Sequence, residues 1–147
     1  MTRFNRHALA LFLGASFLST AALPEEPTIS VYKSPTCTCC GKWIAHLEKE
    51  GFKVNGVDTT NPGVVKSMAG ISADQASCHT ARVGDYVIEG HVPAEDIRRL
   101  LSEQPDARGL TVPGMPLSAP GMDVPSPQHY QVLLIGNDGS TSVFAEH

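Results

Sequence analysis

Three of the chain's four cysteines fall within four residues, Cys37-Thr38-Cys39-Cys40, between an apolar run and a stretch of helical periodicity. The fourth stands beside a histidine, Cys78-His79. That crowding restricts how the thiols can be used. Adjacent Cα atoms lie about 3.8 Å apart, whereas a relaxed disulfide wants about 5.5–6 Å. A Cys39–Cys40 bridge would therefore be strained. A Cys37–Cys40 bridge has the C-x-x-C spacing of a redox dithiol but leaves Cys39 and Cys78 over. Bridges inside the cluster close tiny loops and remove little chain entropy, so structural stapling is its weakest use. A soft metal ion can engage all four thiolates at once.

The N-terminal residues bear on the compartment. Arg3 and Arg6 precede an apolar run over residues 8–18, and Ser19-Thr20-Ala21-Ala22 supplies small residues for cleavage. This is the layout of a secretory signal peptide, too short to span a bilayer. The expected organisation is a cleaved signal over 1–22 and one metal-binding domain over 23–147, placed in a bacterial periplasm. Without Arg3 and Arg6, nine basic residues face fifteen acidic ones, a net charge of about −6 against −4 for the whole chain. That balance argues against nucleic acid or an anionic membrane as a partner. In an oxidising compartment ordinary cysteines end as structural disulfides, a role this cluster suits poorly.

Residues 29–32 form a strand candidate, ended by Ser34-Pro35. Cys40, Trp43, Ile44 and Leu47 then fall on one face of a helix predicted over 40–50, with Gly51 at its C-terminal end. A second strand is predicted over 52–57. Asn61-Pro62 suits a helix start, with Val64, Val65 and Met68 as the apolar face of a short helix ending at Gly70. One more turn is predicted over 71–76. A hairpin follows, 80–83 and 86–89 around Gly84-Asp85, and then a helix over 94–102 with Ile97, Leu100 and Leu101 facing inward. A loop rich in Gly, Pro and Met covers 104–129. The last hairpin pairs 130–135 with 141–144 through Gly136-Asn137-Asp138-Gly139. Strand, cysteine loop, helix, strand, helix, hairpin and helix is the order of an α/β, thioredoxin-like single domain, here with an extra C-terminal β-hairpin and a long Gly/Pro/Met loop. Thioredoxin enzymes place a cis-proline before the hairpin, facing the C-x-x-C. Here that stretch reads Ser77-Cys78-His79-Thr80-Ala81, so a cysteine and a histidine face the first cluster instead.

Thiolates at a helix N-terminus are stabilised by the dipole and by free N–H groups, and Cys39 and Cys40 belong in such a first turn. Soft thiolates and thioethers select Cu(I), and thiolates also suit zinc. A structural zinc site usually takes two paired motifs, which C-x-C-C with one distant Cys-His does not supply. Adjacent thiolates can bridge ions, so more than one Cu(I) per chain is chemically reasonable. His79 is a candidate ligand, and His91 is either a ligand or a backbone hydrogen-bond partner. Met115 and Met122 lie among Gly and Pro without periodicity. They are thioether ligands or core gap-fillers, and a loop this long is often functional. His46, His129 and His147 fit surface or terminal roles, and Trp43 fits the core.

These segments resemble the CopG-type copper-resistance family: Val31-Tyr32-Lys33-Ser34-Pro35-Thr36-Cys37-Thr38-Cys39-Cys40, Trp43, His46-Leu47 and Ser77-Cys78-His79-Thr80. So do Glu89-Gly90-His91-Val92-Pro93-Ala94, Gly109-Leu110, Val112-Pro113-Gly114-Met115-Pro116 and Pro120-Gly121-Met122. The resemblance runs in order over about residues 28–144. It implies a periplasmic, thioredoxin-like protein that binds copper through its cysteines and works beside copper efflux and oxidase systems. It carries metal binding onto Cys37, Cys39, Cys40 and Cys78, and then onto Met115, Met122, His79 and His91. Sequestration of Cu(I), with interconversion of Cu(I) and Cu(II) for export, is the expected function. The competing readings are a thiol–disulfide oxidoreductase using Cys37 and Cys40, and a zinc-binding structural module.

Overall fold

Alternation in the first strand buries Ile29 and Val31 on one face, as a half-buried strand requires. The computed structural model describes residues 27–122 and 124–147. The predicted signal segment, residues 1–22, lies outside them. The described chain runs β1 (Ile29–Lys33), α1 (Thr38–Lys49), β2 (Val54–Asp58), α2 (Pro62–Met68), β3 (Thr80–Val83) and β4 (Tyr86–Glu89). It continues through α3 (Ala94–Glu103), β5 (Gly109–Thr111), β6 (Gln131–Ile135) and β7 (Thr141–Glu146). It is a mixed α/β protein with a seven-stranded sheet in the order β2-β1-β3-β4-β5-β6-β7. β1 and β2 are parallel, as are β4 and β5, and the other neighbours are antiparallel. No helix among the described residues is long and apolar enough to cross a membrane.

The core is built from residues on α1, α3 and the central strands. Trp43 and Leu47 of α1, Ile97 and Leu100 of α3, and Val31, Ala81, Ile88 and Leu110 of the sheet are fully buried together. Removing Leu47 or Ile97 to alanine would cost about 2–5 kcal/mol at such a site. Both hairpins lie where the sequence places them. Helix α1 begins at Thr38 rather than Cys40, because the turn closed by Cys37 N–H donating to the Ser34 carbonyl (3.1 Å) puts Cys37 at the N-cap.

Two expectations change. The loop predicted over 104–129 contains β5, a three-residue strand parallel to β4 with Ile88 opposite Leu110. A strand that short, opening on glycine, carries no readable alternation. Helix α2 forms, but it has no buried residue: Val64 and Met68 are 57 % and 81 % exposed. The predicted apolar face is not a core face. The side chain that α2 sends inward is Lys66, whose Nζ reaches the buried Glu89 carboxylate at 2.6 Å.

Candidate metal centre

The cysteine cluster sits on the first turn of α1. Cys37 is the N-cap and offers no oxygen acceptor there, so no side chain caps the helix. Cys39 and Cys40 follow on the first turn, where unpaired backbone N–H groups and the helix dipole favour thiolate. Cys37 and Cys40 are joined as a disulfide with Cα atoms 5.4 Å apart, which leaves Cys39 and Cys78 as free thiols. Cys39 Sγ stands 3.6 Å from Cys37 Sγ and 3.9 Å from Cys78 Sγ. The Cys78-His79 pair therefore faces the first cluster across the gap between α1 and the hairpin. All four sulfurs lie within 4.8 Å of one another.

A second group shares Cys78. Its sulfur is 3.0 Å from His91 Nε2 and 3.4 Å from His79 Nδ1, and the ligating atoms of the three residues again lie within 4.8 Å. His91 Nδ1 donates to the Pro120 carbonyl at 2.7 Å. A carbonyl only accepts, so this bond holds the proton on Nδ1 and leaves the Nε2 lone pair aimed at Cys78. His91 thus makes the backbone contact and presents a ligand nitrogen as well. His79 is fully buried between the Trp43 ring (centroids 4.3 Å apart) and the His91 ring (5.0 Å). Its Nε2 has no hydrogen-bond partner among the described residues, a costly state for a buried polar atom.

Burial sets the charges. His79 is pushed down to about 3, first by desolvation and then by the neighbouring His91 and Lys66 charges. Desolvation also lowers His91, against the opposing effect of the Pro120 carbonyl. Both imidazoles are neutral at pH 7 and ready to donate lone pairs. The Cys78 thiol is pushed up to about 11, by desolvation and then by the Cys39 sulfur beside it. It is protonated until a cation replaces its proton.

The long loop lies against this centre at two points. Gly114 N–H donates to the Ala76 carbonyl at 3.0 Å, and the Ser77 hydroxyl donates to the Gly114 carbonyl. These bonds bring Met115 beside the Cys78 segment. Gly121 has φ +84°, and a Cβ there would stand 2.7 Å from Trp43 N and 3.0 Å from the Cys39 carbonyl. Only glycine lets the loop approach the cysteine helix so closely, and Met122 follows it. Met115 is 55 % exposed, which removes the core-packing use for that residue. Met122 is half-buried. His147 is occupied elsewhere, with Nε2 2.8 Å from Asp96 at the start of α3.

One residue of this neighbourhood escapes sequence reasoning. Glu89 is fully buried and holds Lys66, Thr80 and the Ser77 N–H. The sequence places it at the head of the Glu89-Gly90-His91 segment, at the end of a strand of otherwise apolar and aromatic residues, but gives it no role.

The family model described as "Protein of unknown function, DUF411" matches residues 75–122. No curated protein matches the chain. A solved structure titled "Copper resistance protein copG- Form 2" is 42 % identical, covering 84 % of this chain and 99 % of its own, with a TM-score of 0.79. Its counterpart titled "Form 1" is 41 % identical, covering 84 % and 98 %, with a TM-score of 0.78. The chain belongs to the CopG copper-resistance protein family. The DUF411 match takes in Cys78, His79, Glu89, His91, Met115 and Met122, but not the C-x-C-C segment. In this CopG-family chain the cysteine cluster has the donors and the spacing to bind metal.

Proposed function

We propose that this protein binds copper as Cu(I) for copper resistance, through Cys37, Cys39, Cys40 and Cys78 with His79 and His91, and with Met115 and Met122 from the covering loop. The observation that carries the reading is Cys78, whose sulfur belongs at once to a four-sulfur group and to a Cys-His-His group. A bridging thiolate between two such groups suits more than one soft cation. His79 Nδ1, 3.4 Å from Cys78 Sγ, and the Nε2 lone pair of His91 supply neutral nitrogens that need no deprotonation. Reduction of the Cys37–Cys40 disulfide completes the thiolate set. The same pair gives the site a redox function. Its dithiol, closing to the disulfide, releases two electrons and two protons, enough to take two Cu(II) to Cu(I).

The reading includes a thioredoxin-like core, supported by the β2-β1-β3-β4 strand order and by cysteines at the start of α1. It also includes one domain over 23–147 behind a cleaved signal peptide, a periplasmic location, and copper efflux or oxidase proteins as partners. In competition with a chromogenic Cu(I) chelator, Cys78→Ser should lose affinity while its circular dichroism stays that of the parent. Parent-like affinity would remove Cys78 from the site.

The closed Cys37–Cys40 disulfide favours a second reading, a thiol–disulfide oxidoreductase. Insulin reduction separates the two, since an oxidoreductase turns over without copper. Zinc retained in preference to Cu(I) would instead support a structural module.

A further inference from the structure

Glu89 ends β4 with its side chain fully buried. Its Oε1 accepts from the Ser77 backbone N–H and from Lys66 Nζ, each at 2.6 Å, and its Oε2 accepts from the Thr80 hydroxyl at 2.7 Å. Ser77 immediately precedes Cys78, and Thr80 immediately follows His79. One carboxylate therefore grips both flanks of the Cys78-His79 pair. Gly90 closes the grip: its N–H donates to the His79 carbonyl at 3.0 Å, and a Cβ on it would meet Ser77 at 2.6 Å. Lys66 balances the carboxylate and also donates to Thr80 Oγ1 at 3.2 Å.

A buried ion pair is a poor device for stability, because desolvation of both charges offsets their attraction. Its better-attested use is to specify a position. We propose that Glu89, charge-balanced by Lys66, is a positioning residue of the metal centre, fixing Cys78 and His79 where they meet Cys39 and His91. The inference rests on the copper reading of that site. Glu89 acts through Ser77 and Thr80, as outer partners act on metal ligands elsewhere.

The test uses the reduced, full-length chain with two readouts. One is Cu(I) affinity by competition with bicinchoninate. The other is the rate at which iodoacetamide alkylates Cys78 in metal-free protein, located by peptide mass spectrometry. Glu89→Ala should weaken Cu(I) binding about 10–100-fold, the range for outer partners of metal ligands, and speed Cys78 alkylation. Glu89→Gln should recover most of both, because its amide oxygen still accepts from Ser77 N–H and its amide nitrogen meets the Thr80 hydroxyl. Thr80→Val removes one grip and one Lys66 contact while leaving the Lys66–Glu89 pair in place, and should give a smaller loss of the same kind, which decides the matter if Glu89→Ala fails to fold. A lower melting temperature with parent affinity and parent alkylation rate would make Glu89 merely structural and overturn the proposal. If Cys78→Ser binds Cu(I) like the parent, the copper reading of Cys78 fails, and the metal-free alkylation rate still decides the clamp.

Discussion

His79 shows how one buried side chain ties stability to chemistry. Unfolded, it protonates near pH 6.5, while in the folded protein burial holds it down to about 3. Between those values the unfolded chain binds the extra proton, so stability rises with pH and is lost as pH falls from 6.5 toward 3. At pH 4 the loss from this group is about 3 kcal/mol. His79→Phe should flatten that acid limb in chemical denaturation followed across pH, and an unchanged limb would place the sensitivity elsewhere. Cys78 works in the opposite sense. Its thiol is raised to about 11, so copper binding at pH 7 should release a proton from it and affinity should fall as pH drops. Proton release measured in two buffers of different ionisation enthalpy should shrink by about one proton per chain in Cys78→Ser.

At the scale of elements, the centre is where α1, the segment before β3, the β4–α3 turn and the long loop meet. Trp43, the only tryptophan, donates its indole N–H to the Val92 carbonyl at 2.9 Å and packs at a 40° tilt against the His79 ring. Copper at His79 should therefore quench its fluorescence, and His79→Phe should abolish the quench. The loop is positioned by Gly121, so Gly121→Ala should overpack the α1 contact and cost about 1–3 kcal/mol in denaturant unfolding. Met115→Leu and Met122→Leu keep volume and apolarity. They should leave apo stability near the parent value but weaken copper retention at acidic pH, where thiolates protonate and thioethers do not. Lost apo stability with normal retention would make Met122 a packing residue and leave the exposed Met115 without a ligand role. Periodicity made α1, α3 and the hairpins legible in the sequence, because their apolar residues recur at the spacing of the face they bury. It misled at α2, where Val64 and Met68 have helical spacing but no core opposite them. It was silent at β5, whose three residues are fixed by β4 and β6 on either side.

For the molecule as a whole, motif chemistry singles out C-x-C-C, Cys78-His79 and His91, and only the fold brings them together. C-x-C-C and Cys78-His79 stand out in one dimension, whereas the tautomer of His91 depends on Pro120, 29 residues away. The clamp on Cys78 depends on Lys66 and Glu89, 23 residues apart. No local pattern encodes such pairs. The Cys37–Cys40 disulfide is the pairing the redox alternative requires, and its closure leaves a reduced pair, Cys39 and Cys78, beside an oxidised one. On the proposed copper reading, the full thiolate set therefore requires reduction first. The most direct test is the copper content per chain after anaerobic Cu(I) loading of fully reduced protein, by elemental analysis against protein concentration. The account predicts more than one Cu(I) per chain, and a lower count in Cys39→Ser although its C-x-x-C pair survives. A single ion or none in the parent, or an unchanged count in Cys39→Ser, would contradict it.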